Sequence, residues 1–345
     1  MHREDILLKD ALTTLRRLLP AGWTATLLPE EVDEQDARLQ LKAPDERQAE
    51  LLVEVKRRID PRRATELAGQ MRDAAGGLPV LIVSGWMSAT TQAVLTDAGL
   101  NRLDLTGNVH LSLSNPGLFL RTSGAQHDPS PERNTMTLRG TKAACIVRTL
   151  AGSALPIGVR KLAASAGASP GYTSKLLHWL DRQAALSRSA TGQVDAVDLR
   201  GLLTRWAQDA PLEQRSTAST WIAPRGLSDL QARLAAWEGR YAITGSLPAS
   251  VHAPVAPPRH LSIYTDDPES FAASAGLRPT DAGANVVLLV PDGTYVYEGL
   301  WRERDLSFAA LPQVVADLMS GPGRGPAEAA ALLDWMSQHT EVWRG

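Results

Sequence analysis

Arg160-Lys-Leu-Ala-Ala-Ser-Ala-Gly-Ala-Ser-Pro-Gly-Tyr-Thr-Ser-Lys-Leu-Leu-His-Trp-Leu-Asp-Arg182 holds two short helical patterns separated by a turn. In the first, from Val159 to Ala166, the apolar residues Val159, Leu162 and Ala163 fall on one face. Gly167-Ala168-Ser169 supplies the turn: Gly167 suits a left-handed backbone, and Ser169 suits a helix cap followed by Pro170 in the first turn. In the second helix Leu176, Leu177 and Leu180 pack inward, which leaves Tyr172, Thr173, Ser174, Lys175 and His178 as candidates for an outward surface. Working outward, Thr141 to Ala151 reads as a preceding helix, and Leu186-Ser-Arg-Ser-Ala-Thr-Gly-Gln-Val194 as strand, Gly-containing turn and strand.

Charge singles out the same region. Between Arg139 and Arg188 stand Arg139, Lys142, Arg148, Arg160, Lys161, Lys175, Arg182 and Arg188 against one acid, Asp181, a segment of +7 in a chain of net charge -2. The remainder is therefore -9. A basic island in an acidic chain is the electrostatic footprint of a phosphate-binding module.

Three helices and a hairpin in this order resemble the winged helix-turn-helix transcription factors. That resemblance implies a second helix-turn-helix element lying in the major groove of double-stranded DNA, with the wing on flanking phosphates. Residues 138–210 then form the DNA-binding domain. Its candidate contacts are Arg139, Lys142, Arg160, Lys161, Ser169, Tyr172, Thr173, Ser174, Lys175, His178, Arg182 and Arg188. No cofactor is required for such binding.

The first 124 residues read differently. A helix is expected from Glu4 to Leu19, then strands at Trp23 to Leu28, Ala37 to Leu41 and Glu50 to Val55. Asp60-Pro61 opens a second helix that stops at Gly76-Gly77; a strand at Pro79 to Val83, a helix at Ser88 to Ala98 and paired runs at Arg102 to Leu105 and Val109 to Leu113 follow. Glu54 and Lys56 share one face of their strand, because side chains alternate, and Asp36 begins the strand before it. Two carboxylates, the Val55 carbonyl and water can hold Mg²⁺, a hard cation that prefers oxygen; Lys56 can orient an attacking water. This order of elements and the Asp…Glu-Val-Lys set resemble the PD-(D/E)XK, or restriction-endonuclease-like, superfamily. The resemblance implies Asp36, Glu54 and Val55 as metal ligands and Lys56 as the catalytic lysine, with Gln70 similar to an extra glutamine found in some members. No proline precedes Asp36, and Asp33, Asp45 or Glu50 compete for its role.

Residues 125–137, within a Pro-, Ser- and Gly-rich stretch, read as a linker. Residues 211–345 read as a C-terminal α+β domain, with strands at Tyr241 to Thr244, His260 to Tyr264, Val286 to Val290 and Tyr295 to Tyr297, and helices near Pro268 to Ala275, Leu311 to Met319 and Pro326 to Gln338. The whole order is similar to that of AbiEi-like regulators, the antitoxin and repressor component of abortive-infection systems; the matching stretches are Trp221-Ile-Ala-Pro-Arg-Gly226, Thr244-Gly-Ser246, Gly283-Ala-Asn-Val286 and Gly321-Pro-Gly-Arg-Gly-Pro326. That similarity implies autoregulation or a toxin partner. Thr244-Gly-Ser246 is also similar to the Gly-Ser turn of nucleotidyltransferases, but the adjacent acids in Tyr264-Thr-Asp-Asp-Pro268 would point to opposite faces of a strand, so a degenerate domain is expected. Gly321 to Pro326 lacks the Lys-Ser/Thr of a P-loop and reads as a plain turn.

The multidomain α/β and α+β class carries further exclusions. One cysteine, Cys145, excludes an internal disulfide and reads as a buried helical thiol; seven scattered histidines offer no metal pair. No apolar run spans a bilayer and the charged N-terminus is unlike a secretory signal, so a cytoplasmic location without membrane contact is expected. Two readings follow: a sequence-specific DNA-binding transcriptional regulator, as a homodimer or with a toxin partner, and a Mg²⁺-dependent endonuclease targeted by its winged helix.

Overall fold

The computed structural model describes residues 3–28, 37–130, 136–237 and 239–344, a mixed α/β structure. They divide into two compact units, one of residues 1–135 with 182–184 and the other of residues 136–181 and 185–345. Asp36, with Asp33, lies outside the described residues.

The first unit runs α1 (Arg3–Leu18), β1 (Thr24–Leu27), β2 (Ala37–Lys42), β3 (Gln48–Lys56), α2 (Pro61–Ala74), β4 (Val80–Ser84), α3 (Ala89–Asp97), β5 (Asn101–Asp104), β6 (Val109–Leu113) and β7 (Leu118–Thr122). The strands form one sheet in chain order, parallel at β3–β4 and β4–β5 and antiparallel elsewhere. Local signals set the helices. Asp60 caps α2 through the Arg63 amide at 2.9 Å, with Pro61 in the first turn, and Ser88 caps α3 through the Thr91 amide at 3.1 Å. Strand alternation then sorts the core. Leu51, Val53, Leu81, Val83, Leu103 and Val109 pack with Leu15 of α1 on one face. Leu52, Val80 and Ile82 meet Leu67, Met71 and Leu95 of α2 and α3 on the other. Every residue of β4 is buried, as a strand covered on both faces must be.

The expected elements of this unit are present, and β7 is added. It closes the sheet where sequence places the approach to a linker. The chain stays tied down beyond it: the Gly124 amide donates to Asn108 Oδ1 at 2.8 Å and the Ala125 amide to Thr106 Oγ1 at 3.2 Å.

The second unit begins with α4 (Thr141–Gly152), α5 (Val159–Ser165), α6 (Pro170–Arg182), the hairpin β8 (Leu186–Arg188) and β9 (Val194–Val197), and α7 (Leu199–Asp209). It continues with α8 (Leu212–Arg215), β10 (Ser216–Ile222), α9 (Leu227–Ala235), β11 (Ala242–Thr244), α10 (Ser246–His252), β12 (Leu261–Tyr264), α11 (Pro268–Ala275), β13 (Arg278–Pro279) and β14 (Val286–Pro291). The hairpin β15 (Trp301–Glu303) and β16 (Leu306–Phe308) and helices α12 (Leu311–Ser320), α13 (Gly325–Gln338) and α14 (Thr340–Trp343) complete it. Its sheet has the order β13-β10-β14-β12-β11-β16-β15 and is mixed, with β12–β14 and β11–β16 parallel. One apolar core joins Ile146, Leu150, Leu177, Leu180, Leu203 and Trp206 of the helical part to Val314, Val315 and Leu318 of α12.

Thr294–Tyr297 is a 3-10 turn and not the strand expected at Tyr295 to Tyr297. Tyr295 and Val296, adjacent in sequence, are both buried, and the Tyr295 hydroxyl donates to Asp292 three residues back at 2.8 Å. A tight turn meets both demands. Cys145, in α4, is only half-buried, and burial raises its thiol pKa.

Candidate nucleic-acid interface

The surface around α5 and α6 is set by what their apolar faces bury. Leu162, Ala163, Leu176, Leu177 and Leu180 lie in the core, so Arg160 and Lys161 at the start of α5 and Ser174, Lys175 and His178 on α6 are exposed. The turn between the helices has Gly167 at φ +57°, and Ser169 caps α6 by accepting from the Tyr172 amide at 3.3 Å. Ser169 thus builds the helix start. Tyr172 is half-buried, and that burial raises its phenol pKa, which keeps the hydroxyl protonated as a donor.

Thr173 is a correction. It is fully buried, and its hydroxyl donates to the Ser169 carbonyl at 3.0 Å. Thr173, Leu176, Leu177 and Leu180 are spaced i, i+3, i+4 and i+7, one continuous inward stripe, so Thr173 belongs to the core side of the helix.

The basic residues fall into two groups. Lys142 donates to the Gly167 carbonyl at 2.8 Å and so braces the turn, Arg139 Nε donates to the Asp209 carbonyl at 2.7 Å, and Arg188 holds the Gly192 carbonyl of its own hairpin turn at 2.9 and 3.1 Å. Arg148 is buried against Tyr295, and desolvation lowers its pKa. Arg182, exposed at the end of α6, is paired with Asp60 at 2.9 Å. Arg160, Lys161 and Lys175 make no hydrogen bond or ion pair among the described residues. These three are the cations best placed to meet phosphate.

In the first unit Glu54 and Lys56 do lie side by side at the end of β3, as an ion pair, with their side chains 12% and 32% exposed. Val55 sits beside Val83 in the sheet, and Gln70 is exposed on α2. Asp45 is held by the Arg47 amide and guanidinium, and Glu50 pairs with Arg38 at 2.9 Å. Asp45 and Glu50, each held by an arginine, thus leave Glu54 and the Val55 carbonyl as the predicted ligands among the described residues, and one carboxylate with a carbonyl does not by itself make a cation site. Among the described residues no group of three or more His, Cys, Asp or Glu could hold a metal ion.

Sequence reading missed two features of this unit. Asp104, fully buried, accepts from the amides of Met87, Thr106 and Asn108 and from the side chains of Thr106 and Asn108, at 2.7 to 3.1 Å, and so fixes the β5–β6 turn. Asp104-Leu-Thr-Gly-Asn108 carries that signal as an Asx-type turn. The second feature is a row across the sheet: Arg102 pairs with His110 and His110 with Arg121. It depends on register, which no local pattern reveals.

In the second unit the residues of the Gly-Ser turn and the adjacent acids are engaged structurally. Thr244 donates to Asp317 at 2.7 Å, Ser246 to Glu328, Asp266 pairs with Arg240, and Asp267 caps α11. Arg324, in the Gly-rich turn, pairs with Glu328 and donates to the Pro257 carbonyl at 2.7 Å.

No family model and no curated protein match the chain. One solved structure, of EndoMS in its apo form, is similar at 13% identity over 30% of this chain and 46% of that one, with a TM-score of 0.21. The likeness spans less than half of the EndoMS chain. Among the described residues no helix is long and apolar enough to cross a membrane.

Proposed function

We propose that the chain is a sequence-specific double-stranded DNA-binding protein of the winged helix-turn-helix kind, acting in the cytoplasm as a transcriptional regulator similar to the AbiEi-like antitoxins. The observation that carries this reading is the exposed, unpaired set of Arg160, Lys161 and Lys175 beside Ser174 and His178, presented by helices whose opposite faces are fully buried. Cations without intramolecular partners are free to neutralise phosphates, and short polar side chains on the same helix can read base edges. β8 and β9 then serve as the wing. A homodimer would place two such helices on a palindromic site, and a toxin partner is part of the same reading.

A second reading rests on the Glu54–Lys56 pair at the end of β3: with Asp36 it would hold Mg²⁺, which polarises the scissile phosphate and activates water, and Lys56 would orient that water. One experiment separates the two. Mobility shift against genomic fragments, with and without Mg²⁺ or Mn²⁺, should give retarded, intact duplexes. Cleavage lost in Lys56→Ala and Glu54→Gln, with binding retained, would replace the regulator by the endonuclease.

A further inference from the structure

The β5–β6–β7 end of the first sheet presents a cationic and aromatic surface that the winged helix does not explain. Arg102, His110 and Arg121 stand opposite one another on three adjacent strands, and Ser112 faces Phe119 one position along. Adjacent strands lie about 4.8 Å apart, so the row spans about 10 Å. It ends at an edge strand, because β7 is the last in the order. Phe119 is 66% exposed, the most exposed of the large hydrophobic residues among those described. His110 meets it edge to face at 5.7 Å, which occupies at most one face of the phenyl ring.

Among the described residues no carboxylate forms an ion pair with the row. Arg102 is 6% exposed; its Nε donates to Thr96 Oγ1 at 3.2 Å, but its Nη1 is buried without a partner, as is Nδ1 of His110. Arg121 is exposed and makes no hydrogen bond or ion pair among the described residues. Asp104 shares the Arg102 face and offsets part of its charge, but its oxygens are occupied by five donors, four from the β5–β6 turn and the Met87 amide. Burial first, then the charges of Arg102 and Arg121, lower the His110 pKa; burial and then Arg121 lower that of Arg102, against a smaller opposing effect of Asp104. Arg102 and Arg121 therefore repel one another and disfavour a charge on His110, and an anion laid across the row would relieve that repulsion and satisfy the idle donors.

We propose that this face binds single-stranded nucleic acid, with phosphates on the Arg102–His110–Arg121 row and a base stacked on Phe119. The exposed ring selects a single strand over a duplex, because a paired base offers no free face. The proposal is independent of the winged-helix reading and of the Glu54–Lys56 pair.

The test uses the full chain, a fluorescein-labelled dT15 oligonucleotide and a 15-bp duplex, followed by anisotropy from about 50 to 200 mM salt. Wild type and Arg160→Ala/Lys161→Ala serve as parents, so that loss of winged-helix binding is scored separately on the duplex. Phe119→Ala should weaken dT15 binding about fivefold to 150-fold in either parent, the range for one base–aromatic stack. Phe119→Leu, which keeps apolar bulk without a ring, should lose nearly as much, and duplex binding should change less than twofold. Arg121→Glu should reduce the salt slope for dT15 by about 0.7, one phosphate contact. Both positions are exposed, and matched thermal melts show that the fold is kept. Equal dT15 affinity in parent and variants overturns the proposal, as does absence of dT15 binding by the Arg160→Ala/Lys161→Ala parent at about 50 mM salt. A Phe119→Ala variant that turns a dimer into a monomer without altering dT15 binding also overturns it, in favour of pairing between two β7 edges.

Discussion

Removing Arg160 and Lys161 together is the sharpest perturbation of the proposed DNA surface, because the structure says how many cations are free to act. Of the eight basic residues between Arg139 and Arg188, Arg139, Lys142 and Arg188 are spent on backbone carbonyls, Arg182 is paired with Asp60 at 2.9 Å and Arg148 is buried. Arg160, Lys161 and Lys175 are exposed and unpaired, which sets about three phosphate contacts per chain. Each contact contributes about -0.9 to the slope of log K against log salt, so the wild-type slope should be about -2.7. Raising salt from about 50 to 200 mM should then weaken binding about 40-fold. Arg160→Ala/Lys161→Ala leaves one contact, a slope of about -0.9 and a loss of only about 3.5-fold over the same range. A dimer on two half-sites doubles both slopes and leaves their ratio unchanged. The assay is anisotropy on a labelled duplex at four salt concentrations, with specific and non-specific sequences in parallel. Both sequences should lose affinity together, since phosphates carry no sequence information. A double variant whose slope equals that of the wild type would refute the assignment and move the phosphate contacts to Lys142, Arg188 or another surface.

Three further outcomes follow from the geometry. His178→Ala should shift preference among DNA sites, whereas Thr173→Val should leave preference unchanged and lower stability by about 1 kcal/mol, the net worth of its hydrogen bond to Ser169, as read by denaturant titration. Asp317→Ala should destabilise the second unit by about 3–5 kcal/mol, because Arg215, 2% exposed, keeps a buried charge while Thr244, Tyr264 and Gln313 lose their acceptor; Arg215→Met in the same chain should recover part of that loss. His110 has a pKa below 6.5 in the fold, so its contribution to stability is complete above pH 6.5 and is lost as pH falls through the folded value. His110→Gln should accordingly flatten the fall in stability of the first unit as pH drops below 6.5, and an identical profile would show that other groups set it.

Much of the first unit is legible in sequence because its signals are local. Asp60-Pro61 and Ser88 mark helix starts by capping chemistry, and the alternation in Ala37 to Leu41 marks a half-buried strand. β7 escapes this reading: Leu118 is buried but Leu120 is only partly so, and Phe119 faces outward, so the usual inward–outward contrast is blunted. Thr173 escapes for another reason. Treating a hydroxyl as outward overlooks that Thr173 falls on the Leu176, Leu177 and Leu180 stripe, where its oxygen is satisfied by the helix itself. The candidate interface was legible as composition, a basic island; which of its cations are free was not. Lys142 reaching Gly167 and Arg188 reaching Gly192 depend on how the turns fold back. The Arg102–His110–Arg121 row needs strand register, and the Arg215–Asp317 pair joins residues about one hundred positions apart.

The helical part of the second unit does not end at its own last helix, and this decides which piece of the chain can be studied alone. Leu202, Leu203 and Trp206 of α7 share a core with Val314, Val315 and Leu318 of α12, and the Thr204 hydroxyl contacts the Met319 sulfur at 3.8 Å. Arg215 stacks over the Trp206 ring at 4.7 Å and is held by Asp317 on α12 at 2.8 Å, while Arg148 of α4 donates to the Glu298 carbonyl. Cutting the chain after Trp206 removes α12 and exposes that face. Each large apolar side chain returned to water costs about 1.5–3 kcal/mol, so uncovering Leu202, Leu203 and Trp206 costs about 5–9 kcal/mol, comparable to the whole stability of a small domain. A fragment of residues 138–206 should therefore lack a cooperative melt and bind duplex DNA far more weakly than residues 136–345, although both carry Arg160, Lys161, Lys175 and His178. A cooperative melt and undiminished affinity in the short fragment would show that α12 only rests on the helices of the proposed DNA surface without completing their core.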